Sequence, residues 1–179
     1  MQPWFIATER FTPGNAEAWR KYIDWSGLVH LDEVVSLDPM LCPTVLPEIR
    51  DEYWPHIVNE DFMLNFFVDL EFLLKRIREL SGRNLLCVYR NPESAPPPYE
   101  GSVKFELLGY DLVDVKGGAS ALTNCGGFPD VFENSELSSK GLLTSHERAL
   151  QVQAELRTKH PEEHHADCHV WAISRAVAL

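Results

Sequence analysis

A chain of 179 residues with 45% hydrophobic content is long enough to bury a core without disulfide or metal staples, which excludes a wholly disordered protein. Its 27 acidic residues against 16 basic ones leave a net charge of −11. That balance speaks against nucleic acid and anionic membranes as partners, because both reward lysine and arginine density, while it suits solubility, a basic protein partner, a cationic ligand or a metal.

The N-terminal residues Met1-Gln2-Pro3-Trp4-Phe5-Ile6 lack the basic region and long apolar core of a secretory leader. Four cysteines (Cys42, Cys87, Cys125 and Cys168) are widely spaced with no CxxC pair, so a cytoplasmic protein with reduced thiols is expected. Trp4 to Thr8 predicts a short strand. Thr12-Pro13-Gly14-Asn15 is turn chemistry opening a helix from Ala16 to Trp25, which Ser26-Gly27 closes. Glu33 to Ser36 predicts a strand, and Pro39, Pro43 and Pro47 then break regular structure. The aromatics Trp4, Trp19, Trp25, Tyr53 and Trp54 concentrate in this first third, as core or as a ring-stacking platform.

The segment 60–80 predicts a long central apolar helix. Asn59 offers an N-cap with Glu60 and Asp61 on the first turn. Phe62, Met63, Leu64, Phe66, Phe67, Val68, Leu70, Phe72, Leu73, Leu74, Ile77 and Leu80 are too many for one stripe, so the helix should be wrapped on most sides. Asn65, Asp69 and Arg76 would form its polar edge, and Asn65, Asp69 and Glu71 rule it out as a membrane span. Asn84 to Arg90 reads as a buried strand.

Pro96-Pro97-Pro98 marks an exposed connector. Val103 to Leu107 and Tyr110 to Val115 predict extended chain, reversed by Lys116-Gly117-Gly118 onto Ala119 to Thr123. Residues 124–140 form a long irregular segment, of the kind that is functional or mobile. Thr144 and Glu147 have capping-box spacing for a helix running to Lys159 before Pro161, and Cys168 to Ile173 predicts a final strand. The expected fold is α+β: a single domain over 1–179 with a largely antiparallel or mixed sheet covered by two or three helices.

Two constellations carry chemistry. In an extended segment His165, Asp167 and His169 would share one side at intervals of roughly 7 Å, a donor set suited to zinc or iron, with His164 and Cys168 on the other side. Cys125, ahead of Gly126-Gly127, can act as a thiol nucleophile with His165 or His169 as base and Asp167 orienting it. The competing explanations are a strand entrance with ordinary histidines, and a glycine turn over a gap-filling cysteine. Two functions follow. One is an acidic binding module of the inhibitor or immunity type for a basic protein, presenting some of Asp24, Asp32, Glu33, Asp38, Glu60, Asp130, Glu133 and Glu136 on one side. The other is a hydrolase-like enzyme using Cys125 and a histidine, or a divalent metal on His165, Asp167 and His169. A cleft shared by the 124–128 turn and the 164–169 segment would favour the enzyme.

Overall fold

In a computed structural model, which describes residues 1–59, 65–77 and 82–177, β1 (Trp4–Glu9) and β4 (Arg83–Arg90) pair antiparallel from Trp4 opposite Val88 to Glu9 opposite Arg83. Around them are β2 (Ile57–Asn59), β3 (Asn65–Phe67), β5 (Phe105–Asp114) and β6 (Cys168–Ala176). The six strands run in the order β2-β3-β1-β4-β6-β5, and every pairing is antiparallel. The helices are α1 (Ala16–Ser26), α2 (Leu70–Arg76) and α3 (His146–Lys159). The fold is thus α+β, as composition and pattern indicate. Among the described residues no helix is long and apolar enough to cross a membrane.

Strand alternation divides the core in two. Phe5, Ala7, Leu85, Cys87, Tyr89, Val170 and Ala172 face the helices, meeting Tyr22 of α1, Leu70 and Leu73 of α2, and Ala149, Val152 and Leu156 of α3. Ile6, Leu86, Val88, Trp171 and Ile173 face the other way, into a smaller core closed by Val35, Leu37 and Leu142. Each fully buried Leu or Ile in these layers contributes about 2 kcal/mol.

The long central helix predicted over 60–80 is not formed. Residues 57–59 and 65–67 are strands, and only Leu70–Arg76 is helical; 60–64 and 78–81 lie outside the described residues. Asn59, the expected N-cap, is the last residue of β2. Phe66 and Phe67 explain the misreading. Phe66 stacks on Trp171 at 5.0 Å in the smaller core, while Phe67 meets Tyr53 and Phe72 in the larger. A strand buried on both faces is apolar at every position, as a helix buried all round would be. Asp69 is not part of a helical polar edge. Its carboxylate accepts from Phe72 N–H at 2.9 Å and starts α2 one residue later.

Other boundaries shift for local reasons. Glu33 to Ser36 is no strand: Val34 makes one bridge to Phe11, and the amides of Glu33 and Val35 turn to the carbonyls of Ser139 and Lys140. Ser145, not Thr144, caps α3, accepting from Arg148 N–H at 3.2 Å. The two predicted stretches at 103–107 and 110–115 merge into β5, whose register slips between Leu107 and Gly109. Gly109 has φ +149°, and a Cβ there would come within 2.5 Å of the Leu143 carbonyl oxygen. Tyr110 and Leu143 exchange both backbone hydrogen bonds beside it, at 2.8 and 3.1 Å. Gly109→Ala is accordingly expected to lower stability by about 2 kcal/mol in urea unfolding; a loss below about 0.5 kcal/mol would mean that the clasp yields freely.

Candidate functional site

The site grows from the end of β5. Asp114 folds its carboxylate onto the following turn: Oδ1 accepts from Lys116 N–H at 2.9 Å and Gly117 N–H at 2.7 Å, and Oδ2 from Ala119 N–H at 3.0 Å. An aspartate placed here satisfies the turn's own amides and so reverses the chain. Burial opposes ionisation of Asp114, but these three amides and His164 outweigh it and hold the carboxyl below its ordinary value. The returning segment 119–123 is not the paired strand predicted from sequence. It bridges β5 once, at Ser120.

What fixes the returning segment is a buried polar network. Ser120 N–H and Asn124 Nδ2 donate to Asp38 Oδ2 at 3.0 and 2.8 Å. The hydroxyls of Ser120 and Ser36 donate to the two oxygens of Asp111 at 2.6 and 2.5 Å. Asp38 and Asp111 are both wholly buried. Tied at Asn124, the chain makes the turn that carries Cys125, with Gly126 and Gly127 at φ +78° and +93°, a conformation that favours glycine.

The facing wall comes from the end of α3. Pro161 forbids further helix, and His160 Nε2 lies 3.0 Å from each oxygen of Asp130, binding the two walls together. A short 3-10 turn, His164–Ala166, then leads into β6. Between the walls lies an open cleft of about 500 Å³, lined by Trp25, Cys125, Phe128, Asp130, His160, Glu163, His164 and His165. The 124–128 turn and the first part of the 164–169 segment therefore meet.

Within the cleft Cys125 is tied to its own turn. Its thiol donates to the Ala121 carbonyl at 2.8 Å and its sulfur accepts from Gly127 N–H at 3.2 Å. Neither bond goes to a histidine, and burial pushes the thiol up to about 11. His165 is the contrasting case. It is 3% exposed, and neither ring nitrogen meets a protein donor or acceptor among the described residues. Burial, with His164 second, lowers its pKa against the pull of Asp114 and Glu163. Phe128 holds the ring edge-on, centroids 5.7 Å apart.

Three metal-ligating side chains converge here: Asp114, His164 and His165 each place one donor atom within 4.8 Å of the others. His164 Nδ1 is 3.3 Å from Asp114 Oδ2. This trio shares only His165 with the set predicted from sequence. The prediction assumed extended backbone from 165 to 169, but the 3-10 turn removes the alternation on which it rests. Asp167 is exposed and lines a neighbouring cleft of about 540 Å³ with Lys116, Arg157 and His164. His169 is in β6, in alternation with Trp171 and Ile173 of the smaller core, and its Nδ1 meets Asn91 Nδ2 at 2.8 Å. It thus belongs to the sheet face away from Phe128. Asp114 was legible as an Asx turn ahead of Lys-Gly-Gly; its approach to His164 required the β5–β6 pairing, which has no sequence signal.

The carboxylates expected on one acidic face serve several purposes. Glu33 and Asp38 are buried. Asp32 pairs with Lys140 at 2.7 Å, Asp130 with His160, and Glu136 with Arg148 at 2.6 Å. Asp24 and Glu133 are exposed, and Glu60 lies outside the described residues. Of the early aromatics, Trp4 packs on Phe66 and Trp171, Trp19 and Trp25 both pack against Tyr22, and Trp25 and Trp54 are exposed. No protein-family model matches this chain, and neither a curated protein nor a solved structure does.

Proposed function

We propose that this protein is a single-domain cytoplasmic hydrolase-type enzyme that activates water at His165, in the cleft between the 124–130 turn and the 160–165 segment. The observation carrying this reading is His165 itself, a buried imidazole at the cleft with both nitrogens unsatisfied among the described residues. A buried polar group without a partner costs about 1–3 kcal/mol, a cost that a fold sustains where the group is used. One nitrogen of a neutral imidazole presents a lone pair and the other an N–H. Toward a proton that lone pair is a base, and toward a metal ion it is a ligand; either makes bound water nucleophilic. Water then adds to an acyl or comparable electrophilic centre, and the proton it gives up is returned to the leaving group.

Cys125 serves this reading as wall rather than nucleophile. A thiol at about 11 is roughly one part in ten thousand thiolate at neutral pH, and its hydrogen bonds hold the turn's shape. Trp25 and Phe128 give the cleft apolar walls, which suits a substrate with an aromatic or aliphatic portion. The acidic binding module comes second, since the carboxylates proposed to form its face include buried and paired groups.

Purified protein assayed against chromogenic esters, amides and phosphoesters is expected to turn over at least one class. His165→Ala should reduce kcat/KM by at least about a hundredfold, while Cys125→Ser stays within about threefold of wild type. Wild-type inactivity on the whole panel, or full activity in His165→Ala, overturns the proposal.

A further inference from the structure

We infer that Asp114, His164 and His165 bind one divalent transition-metal ion, zinc by chemical preference, at the edge of this cleft. Two imidazoles and a carboxylate form the donor set that selects zinc or iron over the hard, oxygen-seeking calcium and magnesium. Three protein ligands leave a position for water, the arrangement of hydrolytic zinc sites.

The hydrogen bonding of Asp114 indicates which atom would bind. Oδ1 already accepts two amides, from Lys116 and Gly117, so its lone pairs are committed. Among the described residues Oδ2 accepts the Ala119 amide alone and faces His164 Nδ1, so it retains a lone pair directed at the histidine. Ligands about 2.0–2.1 Å from a tetrahedral zinc ion are about 3.3 Å apart. The separation of Oδ2 from His164 Nδ1 is 3.3 Å. Such amide support is what orients ligating carboxylates and raises their affinity.

The second, independent observation is the His165 ring, 3% exposed and, among the described residues, without a protein partner on either nitrogen, with a donor atom within 4.8 Å of the other two. A plain His164–Asp114 ion pair leaves those nitrogens unexplained, whereas a metal takes one as its third ligand. The side chain of His164 is 55% exposed, so it can rotate to close the remaining distance without disturbing the core. Glycine at 117 also matters, because a Cβ there would stand 3.2 Å from Oδ2.

Catalytic use of the ion rests on the hydrolytic reading above; binding of the ion does not. The test is calorimetric titration of the full, chelator-stripped chain with zinc chloride, in a Cys125→Ser background, accompanied by visible absorption with cobalt(II). One ion per chain and the absorption of a tetrahedral site are expected. His164→Ala should weaken binding at least about tenfold, as should His165→Ala, whereas His169→Ala and Asp167→Asn should leave it unchanged. His164 is exposed, so its variant reads binding without endangering the fold, and circular dichroism checks the buried His165 variant. Absence of stoichiometric binding, wild-type affinity in His164→Ala, or a loss in His169→Ala equal to that in His164→Ala overturns the site. Zinc binding without turnover removes the hydrolytic reading and leaves the site standing. Turnover that survives both chelation and His164→Ala removes catalytic use of the ion and leaves the hydrolytic reading.

Discussion

Glu33→Ala is expected to destabilise the protein by about 3 kcal/mol. The Glu33 side chain is 1% exposed and draws three cations: Arg10 Nε at 2.7 Å, Arg175 Nη1 at 2.8 Å and Lys140 Nζ at 3.4 Å. Arg175 comes from β6 and also reaches Asn84 Oδ1 of β4 at 3.2 Å, so the group fastens an irregular segment to the middle of the sheet. Removing the acid leaves three partly desolvated cations facing one another. Their side chains remain 38, 24 and 26% exposed, and water screens part of the repulsion, which holds the loss near the low end for a broken buried pair. Burial works against the charge on Glu33, but Arg10 and Arg175 prevail and depress its pKa. Its stabilising contribution is therefore present above the ordinary carboxylate range and lost as pH falls through the lowered value. Urea unfolding at neutral pH, followed by tryptophan fluorescence, measures the loss; a change below about 1 kcal/mol would show that the cluster contributes nothing net.

Asp111→Asn is expected to change how stability depends on pH. Asp111 is completely buried. Burial, with Asp38 adding to it, pushes its carboxyl from the ordinary 3.8 up to about 6, although the hydroxyls of Ser120 and Ser36 resist. The folded state then holds a proton that the unfolded chain has released. Stability from this group is fully present below about pH 4 and is lost as pH rises through about 6. The loss comes to about 3 kcal/mol, at about 1.4 kcal/mol per pH unit. Glu33 and Asp114 act in the opposite sense at lower pH, where their depressed values lie. An amide at 111 does not titrate, so the variant should gain about 3 kcal/mol relative to wild type between pH 4 and pH 8. The Ser36 hydroxyl contact of 2.5 Å is short for an amide donor, which adds a cost independent of pH. The gain with pH is thus the quantity to read, and a difference that stays constant across the range refutes the argument.

Local chemistry was the legible part of this sequence. Pro13 after Thr12 and Gly27 at φ +70° bound α1 within a residue of expectation, short extended or apolar stretches gave β1, β4 and β6, and alternation gave the start of β5. The failure at 60–80 has a definite cause. Phe66 and Phe67 are buried on opposite faces, so periodicity cannot separate a doubly covered strand from a fully sheathed helix. At the site, the glycine turn at 126–127 and the histidines at 164 and 165 stood out as residue types. Their partners did not, because Asp114 is about fifty positions away and meets them only through the pairing of β5 with β6. Glu33 and Asp38 look on paper like surface acids in a charged stretch, and burial turns both into anchors.

The placement of β6 between β4 and β5 has a consequence for biosynthesis. β5 leaves the ribosome more than fifty residues ahead of β6, its strand partner, so the sheet cannot be completed until residues 168–176 have been translated. Until then the two imidazoles have not reached Asp114. A nascent chain in that interval is open to chaperones and proteases, and a stalled one should be cleared quickly, as expected when distant segments must close before local ones are rewarded.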